Sequence, residues 1–368
     1  MKKYKVFTIN PGSTSTKIAL FEGDKELFAK NVSHDADKLK CFTQTSDQRC
    51  YRRDTILNEL GKAGITLEDV DAFVGRGGGL LAVEGGIYTI NDILLDHACT
   101  EKNGVHHPAS LGPQLANEFA SKYSKPAFVV NPPDTDELQD LARMTGVKGI
   151  YRKVHLHALN LKETAIRHAA LMGKKYEECS FVVCHLGGGL SVSAHRKGRM
   201  IDGNDIVGGE GPMAPTRCGA LPAAELIRYC YTQNRTLEDV MPLCQKTGGF
   251  VSHLDTSDAI EVTKRADTGD KTAKRVWDTM LYQIVKYIGS MAAALHGEVD
   301  AILLGGGMVH SMDLVKQIKE GCEWIAPVYA YPGEFEMEAM AAGAIRVLNG
   351  TEALKEYTGT PLWDGFDD

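Results

Sequence analysis

Two segments that lie about half a chain apart share one plan, and this repeat constrains the fold more than any other sequence feature. Residues 5–21 and residues 180–194 each contain an apolar strand, a turn of small residues and a second apolar strand. A charged turn follows each segment. The repeat predicts an internal duplication with two similar domains, and two unrelated β-hairpins are the alternative. The turns read Asn10-Pro11-Gly12-Ser13-Thr14-Ser15 and His185-Leu186-Gly187-Gly188-Gly189.

Apolar residues at helical spacing lie after each repeat and predict several helices. These patterns cover residues 112–122, 271–296, 311–320 and about 336–349. Strand patterns alternate with helical patterns, which predicts an α/β fold. We expect a first domain over residues 1–178 and a second over residues 179–368, with the last helix packing back on the first domain.

Composition excludes several classes of protein. A chain of 368 residues usually forms more than one domain. A net charge of −7 argues against a nucleic-acid partner or an anionic membrane surface. No apolar run reaches the length of about 18 residues that a membrane span needs, and the apolar start is too short for a signal peptide. The nine cysteines lack paired spacing, which predicts reduced thiols in the cytoplasm.

The small-residue turns are candidates for phosphate binding. Glycine and small hydroxyl residues leave backbone N–H groups open to an anion. Neither turn is a P-loop, because Lys17 lacks the G-K-[ST] context and opens a strand. A third glycine turn, Gly305-Gly306-Gly307, follows another apolar run. Three such turns favour a nucleotide held between two domains, and a tight turn that needs a positive φ is the alternative for each.

A dinucleotide-binding formula at residues 77–82 is the competing pattern. The glycines follow an apparent strand, but the formula also requires a helix that begins there. Residues 87–90 instead have a strand pattern, which excludes the Rossmann interpretation.

Arg76 and His185 are candidates for catalysis from their sequence context alone. Arg76 stands between two glycines, so no neighbouring side chain buries or pairs its guanidinium, which suits planar oxyanions. A surface salt bridge is the alternative. His185 ends an apolar strand directly before three glycines, a position where its imidazole can donate a hydrogen bond to an anion held by the turn.

An ordered set of motifs over residues 4–349 resembles the acetate and butyrate kinase family of the sugar kinase, actin and heat-shock chaperone superfamily. The opening turn, the three residues around Arg76 and the strand end at His185 all match family motifs in order. Thr216-Arg217-Cys218-Gly219 is closer to acetate kinases, so the length of the acyl chain stays open. The further motifs are His155-Leu156-His157-Ala158-Leu159-Asn160, Gly209-Glu210-Gly211-Pro212 and Pro332-Gly333-Glu334.

The resemblance implies two duplicated ribonuclease-H-like domains with ATP or ADP and Mg²⁺ in a cleft between them, and a homodimer or higher homo-oligomer. It implies that Arg217 and His157 join Arg76 and His185 as catalytic residues. His106 and His107 resemble a segment that lines the acetate kinase cleft. The implied nucleotide contacts are Asn10, Gly12, Ser13, Thr14, Gly187, Gly188 and Gly189 at the phosphates and Gly305, Gly306 and Gly307 near the adenosine.

Asn131 departs from the family pattern, because an aspartate that acts near Mg²⁺ usually stands there. Asparagine is neutral and binds Mg²⁺ more weakly than a carboxylate does. Three alternatives stay open: Asp134 or Asp136 replaces it, the amide carbonyl of Asn131 coordinates the metal, or activity is reduced. Glu334 and Glu336 are further metal candidates, although a solvated helix start explains them equally well.

The implied reaction is reversible, ATP-dependent phosphorylation of butyrate or a related short-chain fatty acid by direct in-line transfer. Acetate or propionate kinase activity is the nearest alternative. A nucleotide-binding homologue with weak or no kinase activity is a second, because of Asn131. A sugar kinase is disfavoured, because no carboxylate is placed as a base for a hydroxyl acceptor.

Overall fold

The computed structural model describes residues 2–366, which form alternating strands and helices. The strands are β1 (Lys5–Pro11), β2 (Ser15–Glu22), β3 (Lys25–Ser33), β4 (Ala72–Gly75), β5 (Ile87–Thr89), β6 (Ala127–Val130), β7 (Ser180–Leu186), β8 (Leu190–Arg196), β9 (Arg199–Gly203), β10 (Ala301–Gly306), β11 (Val328–Pro332) and β12 (Leu354–Glu356). The α-helices are α1 (Ala36–Lys40), α2 (Arg49–Lys62), α3 (Asp92–Thr100), α4 (Leu111–Tyr123), α5 (Asp140–Arg143), α6 (Ala158–Leu171), α7 (Ala223–Thr232), α8 (Leu237–Gln245), α9 (Phe250–Leu254), α10 (Ala259–Asp267), α11 (Lys271–Ala294), α12 (Met312–Cys322) and α13 (Glu336–Leu348).

Two sheets repeat one strand order. The first sheet has the order β12-β5-β6-β4-β1-β2-β3 and the second has the order β11-β10-β7-β8-β9. In each, an antiparallel three-stranded meander is extended by two parallel strands beside its first strand. Both meanders also carry a register shift between their second and third strands. The predicted α/β class with two similar halves is therefore confirmed.

Contacts divide the chain into two compact units. Among the described residues, the first comprises residues 2–136 and 335–366, and the second comprises residues 137–334. Helix α13 packs against β1 and β6 of the first unit. Residues 137–178 were assigned to the first half from sequence but belong to the second compact unit; the boundary of the duplication at residue 178 stays a prediction.

The first unit is held together by aromatic and aliphatic side chains between its sheet and helices α2 and α4. Phe7, Phe73 and Phe119 are almost fully buried, and each pair of ring centroids lies 6.1 Å apart. Gly75 permits the close approach of α4, because a Cβ there would lie 2.2 Å from the Gly112 carbonyl carbon. Helix α4 therefore packs directly against the last residue of β4, which Arg76 follows.

The second unit buries both faces of its sheet. Val182 and Cys184 pack in the same core as α11 and α12, whereas Phe181 and Val183 pack in the core with α6. Successive residues of a strand point to opposite faces, so helices cover both sides. The strand β10 runs through Gly306, so two of the three glycines predicted as a turn are strand residues.

The structure bears on two further features of the sequence, the lengths of its apolar helices and the burial of its cysteines. Within residues 2–366, no helix is both long enough and apolar enough to cross a membrane. All nine cysteines are free thiols; Cys322 is buried as expected of a small apolar residue, whereas Cys41 is exposed.

Candidate functional site

In the first unit, the β1–β2 turn places Asn10 beside helix α13. The Gly12 N–H donates to the Ser15 carbonyl at 2.7 Å, which closes the turn. The Asn10 amide donates to Glu336 Oε2 at 2.6 Å. Ser13 and Thr14 are exposed at the tip of the turn, where their N–H and hydroxyl groups are accessible. The turn thus has the character that phosphate binding requires.

Arg76 lies next to this turn, directly after β4. Its side chain is 8% exposed, and its Nε atom lies 3.9 Å from Glu336 Oε1. The Nη1 atom donates to the Asn131 carbonyl at 3.5 Å, a long contact. The structure therefore brings together Arg76, Asn10, Asn131 and Glu336, which are four of the residues singled out in the sequence.

His107 belongs to the same neighbourhood. Its Nδ1 atom accepts the Ala109 N–H, so the neutral ring carries its proton on Nε2. The ring keeps an exposed edge, yet desolvation lowers its pKa and the nearby charge of Arg76 lowers it further. His107 is therefore a neutral hydrogen-bond donor at neutral pH. Glu101 fixes this segment by accepting hydrogen bonds from the ring of His106 and the backbone of His107.

Asn131 has a structural role that the sequence did not reveal. It is buried, and its φ of +38° lies in the left-handed region, which asparagine tolerates better than most residues. Its side-chain oxygen accepts the Gly86 N–H at 2.8 Å, and its own N–H donates to the Gly86 carbonyl at 2.9 Å. The side-chain oxygen and the backbone N–H of Asn131 thus both hold residue 86.

We expect Asn131→Ala to lower the free energy of unfolding by about 2 kcal/mol, because it leaves the buried Gly86 N–H without its acceptor and puts alanine at a positive φ. Asn131→Asp keeps an acceptor oxygen and is the control, with a smaller loss. Urea denaturation monitored by circular dichroism measures both. Equal stability of Asn131→Ala and the wild type would contradict this role.

The second unit places two histidines side by side. The rings of His157 and His185 stack with their centroids 4.1 Å apart. The Nδ1 atom of His157 lies 2.7 Å from the Ser191 hydroxyl, which fixes the plane of the ring. His185 is buried at the end of β7, and its Nε2 atom lies 3.9 Å from Glu334 Oε1. The structure thus brings together the two histidines and one of the predicted metal candidates.

Arg217 lies across the β7–β8 turn of the same unit. A Cβ atom added at Gly189 would lie 1.0 Å from Arg217 Nη1, so the guanidinium occupies the space that a side chain at residue 189 would fill. Its Nε and Nη1 atoms are buried without a hydrogen-bond partner in the described part of the chain. Burial lowers the pKa of Arg217, and the charge of Asp205 opposes that shift. A guanidinium with two nitrogens that find no hydrogen-bond acceptor in residues 2–366, beside a small-residue turn, favours an anionic ligand.

The third glycine run has one position that only glycine can fill. Gly306 has a φ of +100°, and a Cβ there would lie 2.4 Å from the Leu186 carbonyl oxygen. Gly306 also exchanges two backbone hydrogen bonds with Gly333, which places Glu334 beside the end of β10. A Cβ at Gly307 would meet no protein atom within 4 Å. The run therefore leaves open space at the strand end.

Two buried residues behind the first turn were missed in the sequence. Arg52 on α2 is fully buried and donates to the carbonyl oxygens of Gly12 and Ser15 at 2.9 and 3.2 Å. His34 follows β3, and its Nε2 atom lies 2.7 Å from the Thr16 hydroxyl. No sequence pattern marks either residue, because the contacts join segments that lie far apart along the chain.

His34 makes stability depend on pH. Burial, and secondarily the charge of Arg52, lowers its pKa from 6.5 to about 4. Between these two values the unfolded chain binds the proton and the folded protein does not, so stability falls as the pH decreases below 6.5. We expect wild type to lose about 1 kcal/mol more than His34→Gln between pH 6.5 and pH 5, measured by urea denaturation. Parallel stability profiles would contradict this expectation.

The carboxylates suit Mg²⁺ only in combination with a phosphate ligand. Mg²⁺ in phosphoryl-transfer sites is usually held by one or two carboxylates together with substrate oxygens. Among residues 2–366, no three His, Cys, Asp or Glu side chains converge as a metal cage. Glu336 lies beside the first turn, whereas an oxygen of Asp134 accepts the Asn103 amide at 2.5 Å. Glu336 thus fits this mode better than Asp134.

Comparison with known proteins links the chain to one group of enzymes. A model described as the Acetokinase family matches residues 131–322. A probable butyrate kinase of Clostridium botulinum (strain Eklund 17B, Type B) is 44% identical over 354 residues, which cover 96% of this chain and 99% of that protein. A probable butyrate kinase from a second strain of the same species matches to the same extent.

Solved structures share the fold at lower sequence identity. Porphyromonas gingivalis acetate kinase superposes with a TM-score of 0.76 at 18% identity, covering 94% of this chain and 100% of that one. A propionate kinase of Francisella tularensis superposes with a TM-score of 0.72 at 17% identity, covering 92% and 98%. At this level of identity the likeness establishes the fold alone.

Proposed function

Because this chain belongs to the acetokinase family, we propose that it phosphorylates the carboxylate of a short-chain fatty acid with ATP, giving an acyl phosphate and ADP. Butyrate, or a related branched or straight four-carbon acid, is the proposed substrate. The name of the relatives at 44% identity supports this choice over acetate. The reaction is reversible, and the sequence does not set its direction.

The observation that carries the proposal is the unpaired guanidinium of Arg217 beside the β7–β8 turn. Both substrates are anions, so the reaction depends on cations that neutralise them without being neutralised by the protein. Two nitrogens of Arg217 are buried and have no hydrogen-bond partner among residues 2–366. We assign Arg217 to the oxygens of the transferring phosphoryl group.

We propose that Arg76 and the two histidines complete the catalytic set. Arg76 has one distant carboxylate partner, Glu336, and retains donors for a carboxylate or phosphoryl oxygen. His185 donates a hydrogen bond to an equatorial oxygen of the transition state, and His157 orients the reacting group. The phosphoryl group passes directly from ATP to the carboxylate oxygen. A covalent phosphohistidine adds a step that none of these contacts requires.

We propose that the nucleotide contacts remain those expected from the sequence. Asn10, Gly12, Ser13 and Thr14 in one turn, and Gly187, Gly188 and Gly189 in the other, contact the phosphates. Gly305, Gly306 and Gly307 lie near the adenosine. Mg²⁺, when bound, neutralises charge on the phosphate oxygens. Glu336 and Glu334 are the proposed protein carboxylates, with Asn131 and Asp134 as further candidates. The homodimer and the cytoplasmic location also remain proposals.

Acyl hydroxamate formation tests the proposal. Hydroxylamine traps acyl phosphates, so protein, ATP, Mg²⁺ and each of acetate, propionate, butyrate and isobutyrate are incubated with it. We expect the strongest signal with the four-carbon acids. A strongest signal with acetate or propionate would reassign the substrate within the family.

A nucleotide-binding protein without kinase activity is the second candidate, and Asn131 favours it. It predicts ATP binding in calorimetry with no hydroxamate from any acid. If Asn131→Asp then restores hydroxamate formation, the missing carboxylate explains the loss.

A further inference from the structure

Arg52 is a buried cation with neutral partners. Its side chain is fully buried, and within residues 2–366 no carboxylate is among its hydrogen-bond or electrostatic partners. Its hydrogen-bond acceptors are all neutral: the amide oxygen of Gln48, the Thr16 hydroxyl and the carbonyl oxygens of the β1–β2 turn. A guanidinium stays protonated at neutral pH even though burial lowers its pKa to about 10. Burying such a charge without an anion costs free energy.

The titratable side chains that interact directly with Arg52 add no negative charge; Glu336 contacts Asn10 of the same turn but is not among the partners of Arg52. His34 and His107 face the same region, and the charge of Arg52 contributes to lowering the pKa of each. Both histidines are therefore neutral at pH 7. Tyr51 is the other titratable side chain that interacts with Arg52, and a phenol is neutral at this pH. The charge thus has no counter-ion among its direct neighbours.

The contacts of Arg52 also orient the turn. Its Nη1 atom donates to the Gly12 and Ser15 carbonyl oxygens, and Nη2 donates to the Ser13 carbonyl oxygen at 3.3 Å. The Thr14 carbonyl accepts the His34 N–H at 2.9 Å. All four carbonyl groups at residues 12–15 are thus bound by donors of the first unit. The N–H groups of Ser13 and Thr14 donate to no acceptor in residues 2–366 and remain for a ligand.

We infer that Arg52 is a positioning residue for phosphate binding: it holds the carbonyl oxygens of the β1–β2 turn away from the anion and supplies the charge that the anion balances. Inorganic phosphate or the polyphosphate of a nucleotide is the class of ligand that such a turn accepts. The inference rests on the proposed function, since the phosphate contacts of this turn belong to that proposal. Arg52 thereby joins the residues proposed for phosphate binding, although it does not itself contact the substrate.

The test compares a charged and an uncharged ligand. We expect Arg52→Gln to weaken ATP binding by between about 10- and 100-fold, because charge-assisted hydrogen bonds and their orientation are lost. Adenosine binding should stay unchanged, because adenosine carries no phosphate. Arg49→Gln is the matched control: Arg49 is an exposed cation on the same helix that faces Glu118 instead of the turn. Isothermal titration calorimetry at two salt concentrations measures all three proteins.

Arg52→Lys covers the case in which Arg52→Gln does not fold. Lysine keeps the charge but cannot reach all the carbonyl oxygens at once, so we expect a loss of ATP affinity of about 5-fold, again without a change for adenosine. Equal losses for ATP and adenosine would overturn the inference, because they indicate a general structural role. Unchanged ATP affinity in either folded variant would overturn it as well.

Failure of the proposed function is distinguishable from failure of this inference. Binding is measured without turnover, so wild-type protein that makes no acyl phosphate but binds ATP still permits the comparison. Wild type that forms acyl phosphate, with an unchanged ratio of ATP to adenosine affinity in Arg52→Gln, contradicts the inference alone. Wild type that does not bind ATP contradicts both.

Discussion

Arg217→Gln is expected to lower kcat/KM for acyl phosphate formation by about 1,000-fold, the range measured for arginines that stabilise a transferring phosphoryl group. Two buried nitrogens of the guanidinium have no hydrogen-bond partner in the described part of the chain, so its removal breaks few hydrogen bonds within the protein. We therefore expect the free energy of unfolding to change little. Steady-state kinetics with hydroxylamine trapping, together with urea denaturation, separates the two effects.

Arg228→Gln is the matched control for Arg217→Gln. Arg228 is exposed on α7 and pairs with Glu225, so its guanidinium already has a carboxylate partner. It should leave kcat/KM unchanged. Arg217→Lys should recover only part of the activity, because an ammonium cannot bind two oxygens in the planar geometry of a guanidinium. A loss below 10-fold in Arg217→Gln would contradict the assigned role.

Gly189→Ala is expected to have nearly the same effect without removing the arginine. The added Cβ would lie 1.0 Å from Arg217 Nη1, and the guanidinium is the flexible end of its side chain. The methyl group therefore displaces the guanidinium while the backbone stays in place. We expect a loss of at least about 100-fold in kcat/KM with a change in stability below about 1 kcal/mol.

A double mutant distinguishes this explanation from a direct effect on the glycine turn. If Gly189→Ala acts through Arg217, combining it with Arg217→Gln should add little to the loss of either variant, because both remove one interaction. Multiplied losses in the double mutant would show that the turn and the arginine act independently. Wild-type kinetics in Gly189→Ala would contradict the position of the guanidinium itself.

Most of the fold followed from local patterns in the sequence. The alternation of strand and helix patterns predicted the α/β class, and the two repeats predicted the similar halves; the structure adds that both sheets share one order of five strands. The predicted helix at residues 271–296 appears as Lys271–Ala294. The resemblance to acetate and butyrate kinases is confirmed by the relatives at 44% identity. Motifs, strand periodicity and helix periodicity are all local signals, so the features that depend on them could be predicted from the sequence.

The boundaries of the compact units could not be predicted from the sequence, because they depend on contacts between distant segments. Helix α6 precedes the second repeat in sequence yet packs against β7 and β10. An amphipathic helix pattern shows that one face is buried but does not say which sheet covers it. The assignment of residues 137–178 depended on this missing information.

The candidate residues also fall into two groups, those indicated by local sequence patterns and those revealed only by contacts in the folded chain. The sequence drew attention to Arg76 and His185 through their residue types and neighbours, and to Arg217 and His157 through the family resemblance. It did not reveal that Asn131 holds Gly86 through two hydrogen bonds, or that Arg52 lies behind the β1–β2 turn. Those interactions depend on side-chain direction in the folded chain. The catalytic, nucleotide and metal roles themselves stay predictions until variants are measured.

Phosphorus-31 NMR of wild-type protein with ATP, Mg²⁺ and butyrate tests the central claim most directly. Carboxylate phosphorylation predicts a new acyl phosphate resonance that grows in step with ADP and is absent when the acid is left out. A rise of ADP and inorganic phosphate with no acyl phosphate, or no change in ATP with any short acid, would contradict it.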